Sequence, residues 1–141
     1  MRVINMITTE VMIDIPFYDI DSLNVVWHGN YVKYLEISRC ELLNKIGYGY
    51  EAMKASGYIW PVIDLQLRYS EPAVFGQKIK VQATLIEYQN RLKINYLITD
   101  AETGRRLTKA STTQVAVNLE TKQMCFESPA VLLAKMGELA L

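Results

Sequence analysis

The length, composition and charge of the chain narrow the classes of protein to which it can belong. With 141 residues, half of them hydrophobic, it can bury one core but is too short for two, so we expect a single domain over residues 1–141. Fifteen basic residues balance fifteen acidic ones, which excludes a global field that would recruit nucleic acid or an anionic membrane.

The two cysteines and the first residues bear on the compartment. Cys40 and Cys125 lie far apart and show no C-x-x-C spacing, a pattern typical of reduced thiols in a cytoplasmic protein rather than of a disulfide framework. Residues 1–16 interrupt their apolar side chains with polar and acidic ones, so they contain neither a signal-peptide core nor a membrane span. We therefore predict a cytoplasmic protein with no membrane span.

The first elements predicted along the chain are a strand, a loop and a long helix. Residues 11–15 alternate in polarity like a half-buried strand, and residues 17–29 lack periodicity and predict a loop. Residues 30–46 change to a helical period, and Gly47 ends that helix. At 100° per residue its apolar face consists of Tyr31, Val32, Leu35, Leu42, Leu43 and Ile46.

Two charged residues fall on or beside this apolar face. Arg39 lies within it and Glu36 at its margin, one turn apart, so we expect them to pair at a partly buried position. A purely structural ion pair is the simpler interpretation of such spacing. A second, shorter helix is predicted over residues 50–56, between Gly49 and Gly57.

The rest of the chain is mostly strand-like. Alternating patterns predict strands over residues 78–88, 92–99 and 111–119. The strand-like stretch after Pro61 predicts another strand over residues 62–69, and a short final strand is predicted over residues 124–126. Ser128 is then predicted to cap a small helix with Pro129 at its first position. The side chains expected to face the core from the two central strands are Ile79, Val81, Ala83 and Leu85, and Leu92, Ile94, Tyr96 and Ile98.

This order of elements predicts an α+β fold, with one curved antiparallel sheet wrapped around one long helix. A single helix covers one face of such a sheet, which leaves an edge or a face to protect. We therefore predict a homodimer that pairs edge strands, and its further assembly into a homotetramer.

The loop before the long helix contains a D-x-D pair. Asp19 and Asp21 flank Ile20, and an irregular backbone there does not force the two carboxylates together, so we do not expect a dyad that shares one proton. One of them is available for chemistry while the other shapes the turn. Aspartates commonly hold turns through hydrogen bonds to the backbone, so a structural role for both is an alternative.

The sequence VVWHGN then leads into the helix start. Gly29 lets a ligand approach the backbone closely, and the amides of residues 28–31 precede a helix whose N-terminus carries partial positive charge. Such amides can stabilise an oxyanion. A cap formed by Asn30 or by water is the commoner fate of a helix start. His28 is the single histidine, so no ligand set for a metal is predicted, and neither a nucleophile elbow nor a phosphate-binding glycine loop occurs.

These motifs together resemble a known family. The order D-x-D, a short loop, V-V-W/Y-H-x-N/S-Y and then Y-L/F-E-x-x-R is similar to the acyl-CoA thioesterases of the hotdog fold, in the branch that includes 4-hydroxybenzoyl-CoA thioesterase and the small Tol-Pal-associated thioesterases. The residues that carry the resemblance are Asp19, Asp21, Val25, Val26, Trp27, His28, Asn30, Tyr31, Tyr34, Glu36 and Arg39. Residues 24–34 and 60–69 also resemble thioesterases of aryl-polyene pigment gene clusters.

The resemblance implies roles for individual residues. Asp21 matches the catalytic carboxylate, which acts as a nucleophile or as a general base. His28 matches the catalytic position whose backbone amide polarises the thioester carbonyl, and Glu36 matches a residue that shapes acyl selectivity from the partner subunit. The residues that we assign to substrate binding on this basis are Trp27, Gly29, Asn30, Tyr31, Glu36, Arg68 and Arg91.

The chain departs from this family at the site for the CoA phosphates. Two arginines followed by lysine in the 4-hydroxybenzoyl enzyme correspond here to Gln89, Asn90 and Arg91, which keeps one positive charge of three. Arg68, Arg91 and Lys93 can still form a basic rim, although ordinary solvated strand charges explain them equally well. A weaker hold on CoA is also what a carrier-protein substrate would produce.

The sequence therefore predicts a cytoplasmic hotdog thioesterase that hydrolyses an acyl thioester of CoA or acyl carrier protein without metal or cofactor. Two alternatives stay open. A hotdog dehydratase would act on 3-hydroxyacyl thioesters and release an enoyl product. A non-catalytic module would bind acyl thioesters without turnover, but the chain shows no DNA-binding segment through which such a sensor would act.

Overall fold

A computed structural model describes residues 7–139 of the chain; residues 1–6, which belong to the predicted N-terminal stretch, and residues 140–141 lie outside the described part. In chain order the elements are β1 (Thr8–Asp14), a 3-10 turn (Phe17–Asp19), α1 (Asn30–Lys45), α2 (Tyr50–Ala55), β2 (Tyr58–Ile59), β3 (Val62–Tyr69), β4 (Lys78–Glu87), β5 (Leu92–Asp100), β6 (Arg106–Gln114), β7 (Val117–Asn118) and α3 (Ala130–Leu139).

Five strands form one antiparallel sheet in the order β1-β4-β5-β6-β3, and β2 pairs with β7 in a separate two-stranded sheet. The alternation that predicted the central strands also sets their register, since Val81 lies opposite Ile98 and Leu85 opposite Ile94. All four side chains are buried on the same face. A slip of one residue would turn this apolar set towards solvent, so the register is strongly specified.

The core lies between this sheet face and α1, which packs against β1 and β4. Burial of one large apolar side chain stabilises the fold by about 1.5–3 kcal/mol, and α1 buries Tyr34, Leu35, Leu42 and Leu43 completely. Replacing Leu42 by alanine would leave a cavity under the sheet and cost about 2–5 kcal/mol. The predicted α+β arrangement, with an antiparallel sheet on one long helix, is confirmed.

Three details of the sequence-based prediction were wrong after the central strands. The fourth long strand was predicted over residues 111–119, but β6 begins at Arg106 and ends at Gln114. There the buried Gln114 amide donates to the Trp60 carbonyl at 2.7 Å, and the chain leaves the sheet to pair β7 with β2. The predicted strand over 124–126 is reduced to a single bridge between Val117 and Met124.

The third error concerns the last helix. Ser128 was predicted to cap it, but its hydroxyl donates instead to the carbonyl of Tyr88, and the helix begins at Ala130 with Pro129 O accepting its first bonds. The hydroxyl therefore joins the helix to the end of β4.

The two edges of the sheet differ in character. On β1 the outward carboxylates Glu10 and Asp14 pair with lysines of β4. On β3 the register places Leu65, Leu67 and Tyr69 on the helix-facing side of the sheet, yet α1 packs at the far side and leaves Leu65 41% and Tyr69 45% exposed. The free edge of β3 is thus apolar and uncovered in the single chain.

Two sequence-based expectations about membranes and thiols can be compared with this fold. Within residues 7–139, no helix combines the length and apolarity needed to cross a membrane. Cys40 and Cys125 are both free in this fold, and each is partly buried.

Candidate active site

The turn before α1 is held by the backbone of Asp19. The Asp19 carbonyl accepts hydrogen bonds from the Trp27 amide and from the Asn30 side-chain amide, both at 2.9 Å, and the Asn30 backbone amide donates to the Trp27 carbonyl at 2.9 Å. These bonds close residues 27–30 into a turn that continues into the helix. Asn30 was predicted as a possible helix cap, and it acts here by joining the helix to the D-x-D segment instead.

The Asp19 carboxylate is a structural group. It is 3% exposed and accepts hydrogen bonds from Lys33 Nζ and from Tyr34 Oη, both at 2.6 Å. Burial opposes ionisation of this carboxyl group, but the two hydrogen bonds and the Lys33 charge outweigh it and hold the pKa of Asp19 below its usual value. Asp19 is therefore the member of the D-x-D pair that shapes the loop.

Asp21 sits in a tight loop of its own. Its amide donates to the Val25 carbonyl at 2.9 Å, and Asn24 adopts a left-handed conformation with φ 65° that reverses the chain. One carboxylate oxygen, Oδ1, accepts the Leu23 amide at 2.8 Å. Among residues 7–139 no donor binds the second oxygen, so it is available to a ligand or to water.

Asp21 lines a cavity of about 240 Å³ beside the start of α1. His28 and Tyr31 line the same cavity, so the structure brings together three of the predicted site residues. The remaining walls come from the loop, with Leu23, Val25 and Val26, and from the segment that ends and follows β3, with Tyr69, Ser70, Glu71 and Pro72. The cavity therefore combines a carboxylate, a helix start and mainly apolar walls.

The backbone at the helix start has free donors. Within the described residues, neither the His28 amide nor the Gly29 amide has an acceptor, and both precede the first turn of α1. Because backbone N–H groups in helical conformation point towards the helix N-terminus, these amides add to the positive end of the helix dipole. A developing negative charge in front of them would be stabilised.

Gly29 lies directly beneath the Trp27 side chain, so a larger residue at this position would have to displace that ring. A Cβ atom at this position would lie 2.2 Å from Cζ3 of the Trp27 ring, which covers the glycine. The Trp27 ring is half exposed and its centroid lies 5.1 Å from that of the His28 ring. Trp27, Gly29 and Asn30 thus adjoin the cavity without lining it.

Two residues of the site were missed by the sequence reasoning. Tyr69 donates a hydrogen bond to the carbonyl of His28 at 2.8 Å, although the two residues are 41 positions apart, and Glu71 adds a second carboxylate to the cavity wall. Glu71 pairs with Arg105 at 3.4 Å. The pairing of β3 with β6 places this segment in the fold. The signal available in the sequence was the polar run Y-S-E-P at the end of a predicted strand.

Glu36 lies elsewhere on α1. As predicted it pairs with Arg39, whose guanidinium is buried and also donates to Tyr50 Oη at 2.9 Å. The Glu36 side chain is 44% exposed and lines neither this cavity nor the groove described next. The Arg39 charge is therefore neutralised where it is buried, while the Glu36 carboxylate reaches the surface of the chain.

The two predicted phosphate-binding arginines lie apart from each other. Arg68 lines a groove of about 560 Å³ on the sheet face opposite α1, together with Arg106 and Lys109, and among residues 7–139 no carboxylate lines this groove. Arg91 lies in the turn between β4 and β5 and pairs with Glu87 at 2.8 Å. In residues 7–139 no cluster of three or more histidine, cysteine and acidic side chains is placed to hold a metal ion.

Comparisons with known proteins identify the family. The model of the thioesterase-like superfamily matches residues 15–136. The Bacillus subtilis protein named "Putative acyl-CoA thioesterase YneP" is 31% identical over 84 residues, which are 60% of each chain. The Synechocystis protein named "Putative esterase sll0410" is 33% identical over 110 residues, which are 77% of this chain and 66% of that protein. The matched part thus spans less than two thirds of either relative.

A solved structure agrees in fold. The crystal structure of DHNA-CoA thioesterase from Staphylococcus aureus superposes with a TM-score of 0.78 at 29% identity, covering 86% of this chain and 81% of that one. The predicted hotdog arrangement is therefore confirmed. By the match over residues 15–136 and by its fold, the chain belongs to the thioesterase-like superfamily.

Proposed function

We propose that the protein hydrolyses an acyl thioester of CoA or of acyl carrier protein to the free acid and the thiol, in the cavity at the start of α1. One observation carries the proposal: the free carboxylate oxygen of Asp21 and the unpaired amide of His28 belong to residues that line the same cavity. Hydrolysis of a thioester needs a base or nucleophile beside an oxyanion donor, and this cavity offers both.

The chemistry follows one of two balanced routes. As a general base, Asp21 takes a proton from water while the water oxygen attacks the thioester carbonyl; the tetrahedral oxyanion collapses, the C–S bond breaks, and Asp21 gives the proton to the leaving thiolate. As a nucleophile, Asp21 attacks the carbonyl itself and expels the thiolate, and water then hydrolyses the acyl anhydride. In both routes the negative charge forms on the carbonyl oxygen, in front of the His28 and Gly29 amides.

The magnitudes rank the contributions of these groups. A positioned base contributes about 10² to 10⁴ in rate, and loss of one oxyanion donor costs about 10² to 10³. His28 contributes its backbone amide to this scheme, and that amide survives replacement of the imidazole. The walls formed by Val25, Val26 and Tyr31 supply apolar surface for the acyl group.

The thiol carrier is anionic, and we propose that Arg68 and Arg91 contact it. Arg68 has the stronger claim because it lies in a groove with two further basic residues and no carboxylate. The Arg91 charge is already offset by Glu87. An acidic carrier protein or the phosphates of CoA would each complement the Arg68 groove.

We propose a homodimer in which the free edge of β3 pairs with its copy. The exposed apolar side chains of this strand, Leu65 and Tyr69 among them, lie where α1 of the same chain gives no cover. A second copy would cover them and would bring its own Glu36 towards the acyl end of the neighbouring cavity. We further propose that two such dimers pair as a homotetramer. The proposal also includes a single domain over residues 1–141 and a cytoplasmic location.

The direct test is a thiol-release assay over a panel of short, long and aromatic acyl donors on CoA and on carrier protein. Asp21→Asn is expected to lower turnover at least about 100-fold. The control is Asp14→Asn, which changes an exposed carboxylate of β1 that pairs with Lys78 of β4, and it should leave turnover unchanged. His28→Ala should lose less activity than Asp21→Asn. Unchanged turnover of folded Asp21→Asn would refute the assignment.

The same panel distinguishes the alternatives. An enoyl product from a 3-hydroxyacyl donor would identify a dehydratase, and binding of every donor without thiol release would identify a binding module. After a single turnover in ¹⁸O-labelled water, label in the Asp21 carboxylate would identify the nucleophilic route, because solvent oxygen enters the enzyme only when water attacks the Asp21 carbonyl of an acyl anhydride.

A further inference from the structure

The turn that carries the proposed oxyanion donors is held from two sides. On the buried side, the Asp19 carbonyl accepts the Trp27 amide and the Asn30 side chain. On the cavity side, the single hydrogen bond in the described residues is the one from Tyr69 Oη to the His28 carbonyl, at 2.8 Å. The cavity-side bond comes from a distant strand, whereas the buried-side bonds come from the adjoining loop.

The geometry points to Tyr69 as a positioning residue for the oxyanion donors, an inference that rests on the proposed function. A peptide unit is planar, so a bond that fixes the His28 carbonyl also fixes the direction of the Gly29 N–H group of the same unit. The His28 N–H group is joined to this unit through one Cα and moves with the turn. Without the phenol, only the chain neighbours restrain this peptide unit on the cavity side.

The sheet makes Tyr69 suitable for this task. It is the last residue of β3, where the amides of Ser70 and Glu71 both donate to the Leu107 carbonyl at 2.9 and 3.1 Å and clamp the strand end to β6. Its ring also packs edge-on against the Tyr31 ring, with centroids 5.0 Å apart. The direction of the phenol is therefore set by the sheet and the core rather than by the loop that it restrains.

The protonation state of the phenol also fits a donor. Burial, with a smaller contribution from the neighbouring Tyr31, raises the pKa of Tyr69 above its usual value. The hydroxyl thus stays protonated throughout the neutral and mildly alkaline range in which a thioesterase is assayed. Tyr69 also lines the cavity in which the proposed oxyanion donors lie.

The test compares two tyrosines that each lose only a hydroxyl group. Tyr69→Phe is expected to lower kcat about tenfold with KM changed less than about twofold, a smaller loss than the 10² to 10³ for outright removal of a donor. Tyr48→Phe is the control, because its hydroxyl is buried far from the cavity between Ser56 and Trp60. It should lower the melting temperature and leave kcat unchanged. Equal kcat in wild type and Tyr69→Phe would overturn the inference.

A spectroscopic measurement separates positioning from mere stability. In the Asp21→Asn background, a bound acyl-CoA with a ¹³C-labelled carbonyl should show a lowered C=O stretching frequency, because the donors polarise the bond. Adding Tyr69→Phe should reduce that shift, and an unchanged frequency would contradict the inference. Full activity of Asp21→Asn would refute the proposed function. Full activity of Tyr69→Phe, together with loss of activity in Asp21→Asn, would refute only the role of Tyr69.

Discussion

The two aspartates of the D-x-D motif are expected to respond in opposite ways when each is replaced by asparagine. Asp19→Asn removes the negative charge that Lys33 and Tyr34 bind. A hydrogen bond to a buried charged group contributes about 1.5–3 kcal/mol, and Tyr34 is only 1% exposed. Lys33 is 47% exposed, so its ion pair adds at most about 1 kcal/mol. The free energy of unfolding should therefore fall by about 2–4 kcal/mol.

For a chain of this size the loss corresponds to a melting temperature lower by about 5–15 °C. Asp21→Asn should lower the free energy of unfolding by less than about 1 kcal/mol, because the asparagine oxygen can still accept the Leu23 amide. Urea unfolding at neutral pH measures the free energy of unfolding of both variants. A thiol-release assay on the folded proteins should show the opposite order, because Asp21→Asn removes the proposed catalytic carboxylate whereas Asp19→Asn keeps it.

The pH dependence provides an independent check on Asp19. Its pKa is lower in the folded protein than in the unfolded chain, so its contribution is fully present above the unfolded pKa of about 3.9 and is lost as pH falls through the folded value. The difference in the free energy of unfolding between wild type and Asp19→Asn should be constant from pH 6 to 8. It should then shrink as the pH falls below about 4. A double-mutant cycle with Tyr34→Phe should give a coupling of about 1–3 kcal/mol. Equal stability of the two asparagine variants, or a gap that persists in acid, would refute the separation of roles.

Three further outcomes are expected. Leu65→Lys on the free edge of β3 should convert the proposed dimer to monomers in light scattering, and persistence of the dimer would place the interface elsewhere. Arg68→Gln should raise KM for acyl-CoA severalfold, more at low than at high salt, and Arg91→Gln should raise it less; the reverse order would assign the carrier site to the β4–β5 turn. Gly29→Ala should lower kcat/KM because the added methyl group displaces the Trp27 ring, and Trp27→Leu should restore part of the loss; an additive double variant would contradict this steric explanation.

The elements that the sequence predicted best were those with strong periodicity. The helix from Asn30 matches the structure at its first residue, because the helical period reflects burial against the sheet. The strand Val62–Tyr69 also matches at its first residue, although nearly all of its side chains are exposed in the single chain. The pattern also led to an error at residues 124–126, since Met124 and Phe126 are apolar yet exposed. Alternation indicates which side chains share a face, but it does not indicate whether a neighbouring strand is present.

The candidate site was predictable only where its residues are close in sequence. Asp21, His28 and Tyr31 lie within one short segment and share a cavity. Tyr69 and Glu71 reach the cavity through the sheet, and no local pattern encodes a pairing between strands that are distant in sequence. The family resemblance singled out Asp21 of the D-x-D pair, but the structural role of Asp19 was not predictable, because it depends on Lys33 and Tyr34 reaching its carboxylate.

The strand order has a consequence for how the chain matures. Within residues 7–139, β3 pairs only with β6, and β6 lies beyond β4 and β5 in the sequence. During synthesis, β3 therefore leaves the ribosome well before the strand that receives it, and its apolar residues stay without a partner until the last long strand has emerged. Such non-local pairings slow folding. In the proposed dimer, the edge of β3 that would meet a second copy is therefore fixed in place only once β6 has joined the sheet.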